Sequence, residues 1–225
     1  MPIDYHRQLD WFDPDKNPLS SVIVGCGGIG SFTAVALAML GIKSMVLVDD
    51  DVVEWHNKPN QLFRIQDVGK PKAQALAEIV DQLTGCEVGY ILGKYPFEDG
   101  TTKLNYDVVV SAVDSMSARK IIWEFGSKYN CGTKLFVDGR IGGQQLRILS
   151  VKNCCDKTEI DRYEQTISSD EKAAQLVCTA QSIIDIGFLI SSQIVRLVRN
   201  HFTGKLIPHE LVCDVEHKFE LIEYN

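Results

Sequence analysis

The chain has 225 residues, 45% of them hydrophobic and 24% charged, with a formal net charge of −7. This is the make-up of one globular domain with a buried core, and its acidic balance argues against broad nucleic-acid binding, which needs a basic face. The opening MPIDYHRQLDWFDPDK has no apolar core, so no secretory signal is expected. The longest apolar stretch, near 183–198, is broken by Asp185, Ser191, Ser192, Gln193 and Arg196, and is too short and polar to span a bilayer. A cytoplasmic location follows as an expectation. The seven cysteines then read as reduced thiols rather than as a disulfide framework.

Residues 1–20 are polar and rich in Pro and Asp, and read as an arm before the core. SVIVGCGGIGSFTA predicts a strand, a glycine-rich turn and the start of a helix, which Gly41 closes. KSMVLVDDD is a second buried strand ending in three carboxylates. The stretch 52–71 is irregular, with Pro59 and Pro71 as breakers. KAQALAEIVDQLTG is an amphipathic helix, CEVGYILGKY a third strand and YDVVVSAVD a fourth. The helix SMSARKIIWEFGSKYN follows. KLFVDGRIGGQQLRILSV reads as two strands, residues 153–178 as a polar crossover segment, and TAQSIIDIGFLISSQIVRLVRNHFTG as a long buried helix. HELVCDVEHKFELIEYN alternates as strand. The fold class is therefore α/β: one domain over 1–225, Rossmann-like, with a mainly parallel sheet, helices on both faces and antiparallel C-terminal strands.

Gly25, Gly27 and Gly30 match G-x-G-x-x-G at the strand-to-helix junction. The first permits the tight turn, the second lets backbone approach phosphate, and the third lets helix and strand pack closely. The helix N-terminus adds unpaired N–H groups and partial positive charge. Asp49, 19 residues after Gly30, stands where a carboxylate takes ribose hydroxyls. Those features alone suit a nicotinamide enzyme. Asp50, Asp51 and the polar, basic loop beyond them suit a triphosphate instead, which needs carboxylates for magnesium and cations for phosphate.

VGCGGIGS, LVDDDVVEWHN, DVGKPKAQA and SAVDSMSAR, in that order, resemble the ThiF/MoeB/HesA superfamily, the nucleotide-binding fold shared with ubiquitin-activating enzymes. The likeness covers residues 22–120 well and continues more weakly to about 200. It implies an ATP- and magnesium-dependent adenylyltransferase. Such an enzyme activates the C-terminal carboxylate of a small ubiquitin-like or sulfur-carrier protein, or of a peptide, and works as a homodimer. By the same resemblance Gly25, Gly27, Gly28 and Gly30 line the phosphate loop, Asp49 takes the ribose and Asp51 is the second acid of a D-x-D pattern. Asn57 and Gln61 lie near the phosphates. Lys72 contacts phosphate, with Lys70 as a neighbouring alternative, and Asp114 holds magnesium. Arg119 is structural or at the pocket edge, and Arg7 is either the arginine that reaches a partner subunit's phosphates or a surface residue.

The chain also departs from that pattern. Asn60 stands where relatives carry an arginine, which removes a charge-assisted phosphate contact. Lys58 or Arg64 is then expected to supply the cation, or the chain binds nucleotide without turning it over. No pair of C-x-x-C motifs exists, and Cys154 and Cys155 are adjacent, so no zinc is expected. Cys86, Cys131 and Cys213 read as small core residues, and Cys26 as packing inside the phosphate loop. Cys178, before the long helix, is a candidate acyl acceptor, with a buried inert thiol as the plain alternative. His209 and His217 read as surface residues. Arg140 faces an acyl-tail channel or simply ends a strand. Trp55 packs on the adenine side or on a dimer partner. The rival functions are a nucleotide-binding pseudoenzyme and, further off, an NAD-dependent oxidoreductase.

Overall fold

The structure, a computed structural model, describes residues 3–86, 88–96, 104–142, 144–167, 183–215 and 220–224. Cys178, His217 and residues 168–178 of the crossover segment lie outside the described residues. Eight strands form one sheet: β1 Ser20–Val24, β2 Ser44–Asp49, β3 Gly89–Leu92, β4 Val108–Ser111, β5 Leu135–Gly142, β6 Gln145–Val151, β7 Glu210–Asp214 and β8 Glu220–Tyr224. Their spatial order is β3-β2-β1-β4-β5-β6-β7-β8. The first five pair in parallel, and β6, β7 and β8 add antiparallel pairing, as the strand pattern predicts.

The parallel strands read as unbroken apolar runs because both of their faces are covered. Val108 and Val110 enter one core with Ile23, Leu135 and Val137, while Val109 enters the other with Val22, Val24 and Phe136. Helices α1 (Gly30–Leu40), α2 (Lys72–Thr84) and a long C-terminal helix close the first face. Helix α1 is buried on nearly every side, so its two hydroxyl residues need partners. Thr33 donates to the Ile29 carbonyl at 2.8 Å and lies 3.0 Å from Ser191 Oγ. Gly41 ends α1 in the left-handed conformation, φ 111°, donating its N–H to Ala38 and Leu37 carbonyls.

The second face is covered by α3 (Met116–Ile121), which runs into a wider helical turn at Ile122–Ser127, and by α4 (Lys157–Glu164). The long C-terminal helix on the first face, α5, spans Ile184–Phe202. Trp123, Phe136 and Tyr163 form the aromatic centre of the second core, with ring centroids 4.7–5.2 Å apart. No described helix is long and apolar enough to cross a membrane.

Three expectations need correction. Part of the polar stretch after 153 is helix α4, because Asp156 caps it by accepting the Glu159 N–H at 3.0 Å. The Asp156-x-x-Glu159 spacing is a start signal that the overall polarity obscures. His209 is buried at the start of β7, and burial lowers its pKa. Its backbone is held by Ser150 and Tyr224 on the flanking chain. Finally, Cys131 and Cys155 form a disulfide, with Cα atoms 5.7 Å apart and a sequence separation of 24. Cys131 is exposed rather than in the core, because the turn after Ser127 meets the turn before α4 at the surface.

Candidate nucleotide cleft

The chain reverses its strand order between β1 and β4, and ligands of open α/β sheets bind at that point, beyond the strands' carboxyl ends. A cleft of about 660 Å³ opens there. That volume suits a small-molecule site. The ends of β1, β2 and β4 form its floor through Val24, Asp49 and Ala112, and α3 forms one wall through Ala118 and Ile121.

The glycine turn is sterically obligatory. Gly25 has φ +95°, and a Cβ there would lie 2.6 Å from the Ala112 carbonyl oxygen. A Cβ on Gly30 would sit 1.8 Å from the Gly25 carbonyl oxygen. At Gly27 the nearest atom to a Cβ would be Gln61 Nε2 at 3.8 Å, so the backbone there borders open cleft. Gly28 lines the same space. No side chain caps the start of α1; the Ser31 N–H donates to the Gly27 carbonyl at 3.0 Å and so ties the first turn of the helix to the glycine loop.

Asp49 is tied into this turn. Its Oδ2 accepts the Cys26 N–H at 2.6 Å and its Oδ1 accepts the Asp51 N–H at 2.8 Å. Burial raises its pKa, while the two N–H donors and the Lys72 ammonium pull the other way. Each carboxylate oxygen keeps a lone pair for a hydroxyl donor. Cys26 is buried, and that burial pushes its thiol pKa well up, as suits a packing residue.

Lys72, the first residue of α2, buries its stem and places Nζ 2.8 Å from Asp51 Oδ2. Lys70 points elsewhere, to Glu78 at 2.7 Å and Asp67 at 3.6 Å. Arg64 is held by Asp67 and Glu78. Neither Lys70 nor Arg64 lines the cleft, and neither does Lys58 or Asn60. The second ammonium on the cleft is Lys94, 3.5 Å from Asp50, a residue the sequence reading passed over. It follows β3, and only the sheet order brings that strand end here.

Gln61 lines the cleft with a buried Oε1 that has no hydrogen-bond partner. Asp114 lies exposed on the cleft wall, in the turn between β4 and α3. Asn57 does not line it: its side chain is buried in a tight turn and accepts the Glu54 N–H at 2.8 Å. Arg7 is exposed and lies near the far end of α1, where its neighbour Gln8 donates to the Leu40 carbonyl at 2.7 Å. Trp55 is exposed.

Arg119 is both structural and at the cleft edge. It pairs with buried Asp138 and donates to the Val113 carbonyl and, at 2.9 Å, to that of Gly139. Asp138 also receives Arg140 Nε at 2.8 Å and the Tyr163 hydroxyl at 3.0 Å. Arg140 is thereby turned into the core, with its remaining donors on Thr166.

A doubly wound sheet with a glycine turn and a half-buried acid at its switch point defines the nucleotide-binding α/β class. Within it, the chain belongs to the ThiF family, whose profile matches residues 15–211. It is 31% identical over 112 residues to the NEDD8-activating enzyme E1 catalytic subunit of Arabidopsis thaliana, covering 49% of this chain and 25% of that protein. It is 31% identical over 135 residues to the sulfur carrier protein ThiS adenylyltransferase of Escherichia coli, covering 57% and 52%. The crystal structure of E. coli MccB with ATP shares the fold at a TM-score of 0.68 and 18% identity, over 92% of this chain and 63% of that one. The matched stretches are thus a quarter to about half the length of the two curated relatives.

Proposed function

We propose that the chain is an ATP-dependent adenylyltransferase. It would activate the C-terminal carboxylate of a small ubiquitin-like or sulfur-carrier protein, or of a peptide. The observation that carries this is the convergence of the glycine turn, Asp49, Asp51, Lys72 and Asp114 on one cleft. An adenylyltransferase among the relatives supports the same reaction class.

In this reading the acceptor carboxylate attacks the α-phosphate and pyrophosphate leaves. The attacking group is already ionised, so no protein base is required. Two anions must approach, and the turn's N–H groups and Lys72 offset the charge that builds up. The unpartnered Gln61 amide oxygen points to a polar ligand beside the turn. The carboxylate donors fit a hard divalent cation: one oxygen each of Asp49, Asp50 and Asp51 lies within 4.8 Å of the others, and Asp114 faces the same cleft. Asp114, with Asp51, would hold magnesium, which when bound supplies charge neutralisation for the phosphates.

The finer parts belong to the same proposal. Arg7 lies at the wrong end of α1 to serve its own cleft, so it would serve that of a second copy in a homodimer. Cys178 would take the acyl group. The setting would be cytoplasmic, with neither nucleic acid nor membrane as partner and no zinc. A second reading, a nucleotide binder that does not turn over, is favoured by Asn60, which stands where the family resemblance leads one to expect an arginine.

ATP–pyrophosphate exchange with a panel of proteins and peptides ending in free carboxylates separates the two. Exchange that depends on one panel member, and that falls at least about 100-fold in Asp114→Ala, supports the adenylating reading. Tight ATP binding without exchange for any acceptor supports the silent binder.

A further inference from the structure

The disulfide sits at one end of α4 and the buried Asp138 cluster at the other. Cys155 lies in the turn that starts α4, and Cys131 in the turn after Ser127. The two turns also share a backbone bond, from the Tyr129 N–H to the Cys154 carbonyl at 2.9 Å. At its far end α4 places Tyr163 on Asp138, and Thr166 just beyond accepts from Arg140. Asp138 in turn pairs with Arg119, which holds the Val113 carbonyl next to Asp114 on the cleft wall. A continuous chain of packed and bonded groups therefore runs from the disulfide to the cleft. Apart from the disulfide, α4 is held near its start by Glu159, which accepts the Lys152 N–H at 2.8 Å, and further along by the aromatic centre and by Glu164, which accepts the Trp123 indole N–H at 3.0 Å and pairs with Lys128.

We propose that the Cys131–Cys155 disulfide is a redox-active site for a dithiol reductant, and that opening it loosens α4 and, through Asp138, the cleft wall. Cys131 is exposed and Cys155 half-buried, so an incoming thiolate reaches the Cys131 sulfur. It forms a mixed disulfide there, and Cys155 leaves as a thiolate and takes a proton. The reductant's second thiol then displaces Cys131 and closes the reductant's own disulfide. Two electrons pass to the chain, which ends with two thiols. The adjacent Cys154 does not enter the exchange: it is buried, and burial pushes its pKa up to about 12, which keeps it protonated. The bond's two covalent states give the path two discrete arrangements, which coupling between distant sites requires.

The consequence for nucleotide rests on the function proposed above, and the test separates the two. Protein purified without reductant is compared with dithiothreitol-treated protein by thiol titration under denaturing conditions, amide exchange of α4 and calorimetric binding of ATP. A Cys131→Ser, Cys155→Ser double variant is run beside it. Expected are two fewer thiols before treatment than after, faster exchange across Lys157–Glu164 after treatment, and an ATP affinity lowered about tenfold. The double variant should match the reduced protein in both conditions. Equal thiol counts before and after, or unchanged exchange across α4, would overturn the proposal. Loosened α4 with unchanged ATP affinity would overturn its link to the cleft. If neither state binds ATP, the nucleotide reading fails, while thiol count and exchange still decide whether the disulfide acts on α4.

Discussion

Lys72→Ala is expected to lower ATP–pyrophosphate exchange by about 10²–10³-fold, the usual cost of removing one preorganised group aimed at developing charge. The protein should stay folded. Asp51, its ion-pair partner, has a side chain 63% exposed, so water replaces the lost ammonium there. Losing the ammonium also leaves the 49–51 carboxylates less compensated, which moves the Asp49 pKa further upward. The loss should therefore deepen as the pH falls toward the raised Asp49 pKa, where the acid begins to protonate. Lys70→Ala is the control, because Lys70 spends its charge on Glu78 and Asp67 outside the cleft. Exchange rates against pH for both variants check this. Equal losses in the two, or no loss at Lys72, would remove it from the phosphate role.

The second large effect is on stability. Asp138→Ala should cost about 3–5 kcal/mol, because two buried guanidinium groups lose the carboxylate between them. The side chains of Arg119 and Arg140 are only 4% and 9% exposed, so solvent cannot take over. The Tyr163 hydroxyl loses its acceptor as well, and burial already drives its pKa well up. Asp138→Asn keeps an acceptor in the same shape and should recover part of the loss. Denaturant unfolding of the three proteins decides the point. A cost below about 1 kcal/mol would mean that the guanidiniums find other partners and that the cluster does not tie β5 to α3 and α4.

The fold was legible where local chemistry decides it. Apolar runs such as Val108–Val110 can only be strands covered on both faces, and the glycine turn names its own geometry through Gly25 and Gly30. Gly41 and Gly85, both at positive φ, mark the ends of α1 and α2 as their positions in the pattern suggest. What was not legible depends on contacts across the chain. Lys70 and Lys72 stand two residues apart, and nothing local says which turns inward. The start of α2 decides it by burying the Lys72 stem. Lys94 reaches the cleft only because β3 lies beside β2. Asp138 and Arg140 look like ordinary strand residues until Tyr163 and Arg119 arrive from elements 25 and 19 residues away from Asp138. The disulfide was missed for the same reason: its cysteines meet only when two surface turns come together.

In the proposed function the turn at Gly25–Gly30 holds the phosphates of ATP. Calorimetric titration of the purified chain with ATP and magnesium, and separately with NAD, tests it most directly. Saturable ATP binding is expected at one site per chain, much weakened in Lys72→Ala, with no comparable binding of NAD. Absence of ATP binding by folded protein, or tighter binding of NAD than of ATP, would contradict it.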